Sequence, residues 1–338
     1  MSVAAVEAVP GIVWEAELED APVAVHAAGG LIAVGGADGE CRVYDATTGE
    51  IRASASLEGG LLHVAVSPDG ARVALAGPFG HGVLTLGQHF RATSTGAWSS
   101  RAAWADPDRV AIASGRRVLV LDGAGEELWS TDPAPSTVTD LGWQRDGRRL
   151  ATTAYNGVRS YERHSSAPIA TYDYLGSHLA LAISSTGRWI CSGNQDASIH
   201  IWRTKDGRDL TMHGYPEKVS RIAFDPSGRW LAADGAPDIT IWDFSGKGPE
   251  GRYPRALAGN VTITAFAWRP GDSRILASAG AEGMLALWHA EDGKPGEEVK
   301  PRIARGMAQP VLALAWAGPD HLAHVGVDGH IEVWRPLA

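Results

Sequence analysis

Few residues of this 338-residue chain are arranged to do chemistry. The segment GKGPEG (246–251) has the G-x-G-x-x-G spacing of a phosphate-cradling loop. Pro249 and Pro254 forbid a helix opening there, so no helix N-terminus is available to hold a phosphate. The twelve histidines are scattered. His321 and His324 lie three apart in a predicted strand, which points them to opposite sides and away from a shared metal. The chain has no HExxH, no CxxC, no calcium loop and no G-x-S-x-G elbow. Cys41 and Cys191 fall in strands of different repeats and read as buried, reduced thiols. Asn260-Val261-Thr262 is a glycosylation sequon by pattern, unused in a cytoplasmic protein. Asp140 and Asp234 are carboxylates that could point into a central channel, although turn-bonded or solvated roles are the favoured reading. The residues predict no catalytic group, no metal and no cofactor.

The elements that would position such residues are short and repeated. A strand-like run ends in a bulky residue near Tyr44, Gly87, Leu121, Tyr161, Trp202, Trp242, Trp288 and Trp334, at intervals of 34 to 46 residues. The clearest copies are CRVYD, SIHIWR, ITIWD, MLALW and HIEVW. Turns rich in Pro, Asp and Gly precede them, including SPDGAR (67–72), QRDGRR (144–149), DPSGRW (225–230) and RPGDSR (269–274). Runs such as HVAV, RIAF, AFAW and ALAW place apolar residues at every second position before each turn, as in a strand with one buried face. A second run follows each turn, and Asp-Gly and Pro-Ser-Gly turns join the pair as a hairpin. A period near forty with four strands per unit is that of a propeller blade. Helical periodicity is absent.

Composition narrows the function classes. Apolar residues make up 44% of the chain and charged residues 20%, a globular balance. The formal net charge of −9 disfavours nucleic acid or an anionic membrane as the main partner. No run approaches the ~18 apolar residues of a membrane-spanning helix. MSVAAVEAVPG lacks the basic start and apolar core of a signal peptide. A cytoplasmic location is expected, and 25 Arg against 5 Lys points to a GC-rich, bacterial genome.

These units resemble the WD40 repeat family over essentially the whole chain, best at residues 177–243. The resemblance implies an all-β closed propeller, one domain over 1–338 with 20–338 as repeat units. Eight third strands argue for eight four-stranded blades, with seven as the alternative. Residues 11–19 would complete the last blade and remove its open edge. The Gly-His pair of the family is missing. Its place falls on Tyr174, Tyr215 and Met307, while Ser192, Asp196 and Trp202, and Asp328 and Trp334, keep parts of the family's polar chain. The buried network is therefore expected to be partial, or to use tyrosine hydroxyls. The resemblance also implies a top face built by loops entering the inner strands and by turns between second and third strands. It places Phe79, His81, Trp98, Arg116, Tyr155, Asn156, Gln195 and Lys218 there. The expected function is a non-enzymatic scaffold, monomeric by itself, for an unidentified protein or peptide. The alternatives are an enzyme or small-ligand propeller with a site in the central channel, or an accessory subunit of a separate enzyme.

Overall fold

Alternating apolar residues give short strands that must bury one face each, and the chain answers with eight sheets arranged as a closed ring. The computed structural model describes residues 11–144, 147–259, 262–271 and 274–336, and no helix occurs among them. Met1–Pro10, Arg145 and Asp146, Asp272 and Ser273, and Asn260 and Val261 of the sequon lie outside the described residues. Each blade runs inner, second, third and outer strand. In blade five these are His178–Ile183, Trp189–Asn194, Ile199–Arg203 and Asp209–Met212. The strand Ile12–Glu17 pairs antiparallel with His330–Trp334 and completes blade eight. Trp14 on that strand also reaches blade one: its indole N–H donates to the Ala46 carbonyl (3.0 Å) and its ring lies 5.4 Å from that of Tyr44.

Eight apolar clusters hold the ring, one at each junction between neighbouring blades. Trp334, Leu322 and Trp316 of blade eight meet Leu285 and Leu287 of blade seven. Leu18, Ile32, Val34 and Tyr44 meet Val325, Ile331 and Val333 where blade one joins blade eight. Burying such side chains is the main term favouring the fold. Cys41 and Cys191 are buried free thiols, and burial pushes the Cys41 thiol up to about 12.

A second device stitches the inner strands. Trp104, Trp143, Trp268 and Trp316 each donate an indole N–H to an inner-strand carbonyl of the preceding blade: Ala65 (2.8 Å), Ala103 (2.9 Å), Ala223 (3.0 Å) and Ala267 (3.1 Å). The other four blades carry Ala27, Val66, Ile183 and Phe224 at the same register, which have no such donor.

Three expectations need correction. In blade two the third strand is Gly80–Thr85 and Leu84 lies opposite Val73, as Trp202 lies opposite Ile190. The strand-end position is therefore Leu84, three residues before Gly87, which evens the repeat. Blade six has five strands: Glu298–Val299, from the long third-to-outer connection of blade seven, pairs parallel with Arg255–Leu257. That excursion lies within one of the two longest spacings in the repeat, from Trp288 to Trp334.

The third correction concerns histidine. None stands at the Gly-His place, yet His178, at the start of the inner strand of blade five, takes up the contact. Its Nε2 meets the Tyr174 carbonyl at 2.9 Å and its Nδ1 meets the Ser192 hydroxyl at 2.9 Å. Asn194 donates to Ser198 (3.2 Å), Ser198 to Asp196 (2.5 Å), and the Tyr174 hydroxyl to Asp196 (2.7 Å). In blade six a tyrosine substitutes outright, since Trp242 donates to the Tyr215 hydroxyl (2.9 Å), which meets Thr240 at 2.8 Å. Blade seven keeps the indole-to-serine link, Trp288 to Ser278 (2.8 Å).

Candidate functional site

The top-face loops form a belt of hydrogen bonds running from blade two to blade five. Phe79 sits at the turn between Arg72–Gly77 and Gly80–Thr85, 57% exposed. Its ring lies over Gly59, whose φ of +84° and lack of a side chain allow that approach; a Cβ there would come within 2.2 Å of the ring. The Phe79 carbonyl accepts the amides of Thr95 (3.0 Å) and Gly96 (3.2 Å), which tie it to the loop carrying Trp98. Trp98 is 52% exposed, and its carbonyl accepts the Gly115 amide. Arg116 donates to the Ala134 carbonyl (2.7 Å) and Val138 to the Gly115 carbonyl, so the loop entering blade four is fixed as well. The Tyr155 amide donates to Ser136 (2.8 Å), leaving its ring 45% exposed. Asn156, at φ 68°, exchanges hydrogen bonds with Gly176, and the Gln195 amide donates to Ser177.

This belt brings Phe79, Trp98, Arg116, Tyr155, Asn156 and Gln195 onto one run of loops. It adds Leu175, beside Gly176 and 76% exposed, which sequence reading missed. An isolated Leu in a loop carries no signal until its backbone neighbours are known. Two anticipated residues stand apart. His81 is buried within the third strand of blade two, opposite Ala76, and burial lowers its pKa. It is not part of the exposed face, because Gly80 already belongs to the strand and turns the next side chain inward. Lys218 lies at blade six, beside a pocket shared with Arg221, Asp234 and Pro237. Asp234 is spent there: it accepts from the amides of Ser220 and Arg221 and from the Ser220 hydroxyl (2.8, 2.9 and 2.7 Å).

The channel holds a second feature. Inner strands of blades one to four line an open cavity of about 460 Å³ whose polar side chains include His26, His63, Arg101 and Asp140. Asp140 does reach it, as one reading of the sequence allowed. Its carboxylate nevertheless accepts the amides of Leu141 (2.9 Å) and, across the junction, Leu181 (2.8 Å). Burial raises the Asp140 pKa, against the Arg101 charge 3.7 Å away. Away from the channel, on the third and outer strands of blade eight, Glu15, His330 and Glu332 bring donor atoms within 4.8 Å of one another. Glu332 is already held by the Arg305 guanidinium through both oxygens, so this trio is an ion-pair cluster. The strand register puts His321 and His324 on opposite faces, opposite Ala317 and Leu314.

A closed eight-bladed propeller with a built top face defines the class of protein. Within it, residues 158–203, from the third strand of blade four to that of blade five, match the WD domain, G-beta repeat family. The chain is similar to the small ribosomal subunit protein RACK1 of Caenorhabditis elegans, 30% identical over 43% of this chain and 46% of that protein. It is also similar to the WD repeat-containing protein slp1 of Schizosaccharomyces pombe, 27% identical over 68% of this chain and 48% of that protein. The chain spans about half the length of these relatives. The computationally designed Ika8 protein has the same fold, with a TM-score of 0.76 over 94% of this chain and 97% of that one, at 20% identity.

Proposed function

We propose that this protein is a non-enzymatic interaction scaffold that presents the loops of blades two to five to a protein or peptide partner. The observation that carries this reading is the row of exposed Phe79, Trp98, Tyr155 and Leu175 on loops fixed by backbone hydrogen bonds. Large apolar side chains held rigidly in water cost little further ordering when a partner covers them. Arg116 and Asn156 supply polar contacts at the rim. The names of relatives agree with such a role: a ribosomal subunit protein, an APC complex cofactor and a target of rapamycin complex subunit are parts of assemblies. Replacing Trp98 and Tyr155 together by Ala should abolish capture of a partner from native lysate and leave the melting curve unchanged, because neither ring is in the core. Undiminished capture would overturn the proposal.

A further inference from the structure

Three polar side chains that line the cavity in the central channel, His26, His63 and Arg101, can donate hydrogen bonds into it. The His26 Nδ1 accepts the Val66 amide of blade two (3.1 Å), and the His63 Nδ1 accepts the Ala102 amide of blade three (3.3 Å). A ring nitrogen that accepts a hydrogen bond carries no proton, so each neutral imidazole holds its proton on Nε2. Desolvation keeps both rings neutral in ordinary conditions, at about 4 for His26 and about 3 for His63. Neither Nε2 has a hydrogen-bond partner among the described residues, and neither is sealed from the cavity that both side chains line. Arg101 spends one N–H on the Ser100 carbonyl (3.1 Å) and sets its Nε 3.7 Å from Asp140, which leaves the remaining N–H groups of its fork.

The one carboxylate beside them is already partly used. Both Asp140 oxygens take backbone amides, and the carboxylate stands beside Arg101 as its counter-charge. The remaining wall is apolar, with Ala65, Ala102, Ala103 and Leu141. We infer that the channel binds an organic monocarboxylate, its oxygens on the Nε2–H groups of His26 and His63 and the Arg101 guanidinium, and its apolar part against the alanine wall. A carboxylate offers about four lone-pair sites to such donors and fits a guanidinium fork. A doubly charged phosphate would face only one permanent cation, itself half-compensated by Asp140. A cation would meet the Arg101 guanidinium and, among the described side chains, only the Asp140 carboxylate, which already serves two amides and that guanidinium. The site does not depend on the top-face reading.

The carboxylate could belong to a free acid or to a peptide C-terminus, and one experiment separates them. Histidine ring ¹H–¹⁵N spectra of the full chain would be recorded with isovalerate, with isovaleramide, with inorganic phosphate, and with a short peptide as free acid and as C-terminal amide. Without ligand, both rings should show the Nε2–H tautomer. Isovalerate should move those two Nε2–H signals and isovaleramide should not. A response to the free-acid peptide exceeding that to isovalerate assigns the site to C-termini; the reverse assigns it to small acids. Arg101→Gln, at a partly exposed side chain, should weaken isovalerate at least ~tenfold without moving the melting curve. The Nδ1–H tautomer at both rings, no shift with either acid, equal binding of the amide, tighter binding of phosphate, or unchanged affinity in Arg101→Gln would each overturn the inference.

Discussion

Two blade junctions use the same register to opposite ends. Between blades four and five, Ser192 and His200 sit two residues from Ile190 and Trp202; between blades seven and eight, His324 and Glu332 occupy those places beside Leu322 and Trp334. The first junction has only four fully buried apolar residues in its cluster, Ala151, Val158, Ile190 and Trp202, whereas the second has nine. At the first, Tyr174 stacks on His200 with centroids 4.1 Å apart and closes the hydrogen-bond ring through Asp196. At the second, Met307 stands where Tyr174 does and offers no hydroxyl. A cavity of about 230 Å³ opens there among Met307, Gln309, His324 and Glu332. The Nδ1 of His324 and the Nε1 of Trp334 are buried with no partner among the described residues. One blade junction can thus be held by a satisfied polar network and another by apolar contact that tolerates orphaned polar atoms, the latter at a cost.

Truncating the two tryptophans tests this contrast most strongly. Trp334→Ala should lower unfolding free energy by about 3–5 kcal/mol, as large core truncations do, and Trp202→Ala by less, because polar contacts carry part of its junction. Equal shifts of the urea midpoint in the two variants would break the comparison. The next largest effect is acid dependence. Burial lowers the His324 pKa from 6.5 to about 4. The unfolded chain therefore takes up a proton first as pH falls, so this residue's contribution is full above about 6.5 and is lost between there and about 4. The loss is on the order of 3 kcal/mol. His324→Leu should flatten the stability–pH curve in that window, and a curve parallel to the parent's would count against a neutral buried imidazole. The smallest effect is a repair. Met307→Tyr should fill part of the cavity, bring a hydroxyl toward Asp328, and raise stability by up to about 1 kcal/mol. A lower melting temperature would show that the loop of blade eight cannot take the Tyr174 conformation.

The repeat itself was readable because strands of period two with Asp-Gly turns leave few other solutions. The eight third strands and the closing run at 11–18 follow from it. The errors lie where the pattern has no aromatic anchor. Blade two ends in Leu84, so Gly87 drew the assignment toward the following turn. His178 escaped notice because the comparable positions are Val138, Val219 and Val311, and nothing local distinguishes a histidine that bonds across the sheet from one that faces water. His81 and Leu175 show the same limit from opposite sides: one looked exposed and is buried, the other looked incidental and is the most exposed apolar residue on its belt.

Sequence by itself determined the eight repeated units, their hairpins and the surplus of small and aromatic residues that lets sheets pack face to face. Those are local or periodic properties, fixed by side-chain alternation and turn chemistry. Tertiary structure decided which polar groups meet. The pairing of Tyr174 with Asp196, of Asp140 with the next blade's amide, and of His26 and His63 with the amides of blades two and three all cross junctions. Their partners lie 22 to 41 residues away along the chain, at distances set only when the ring closes.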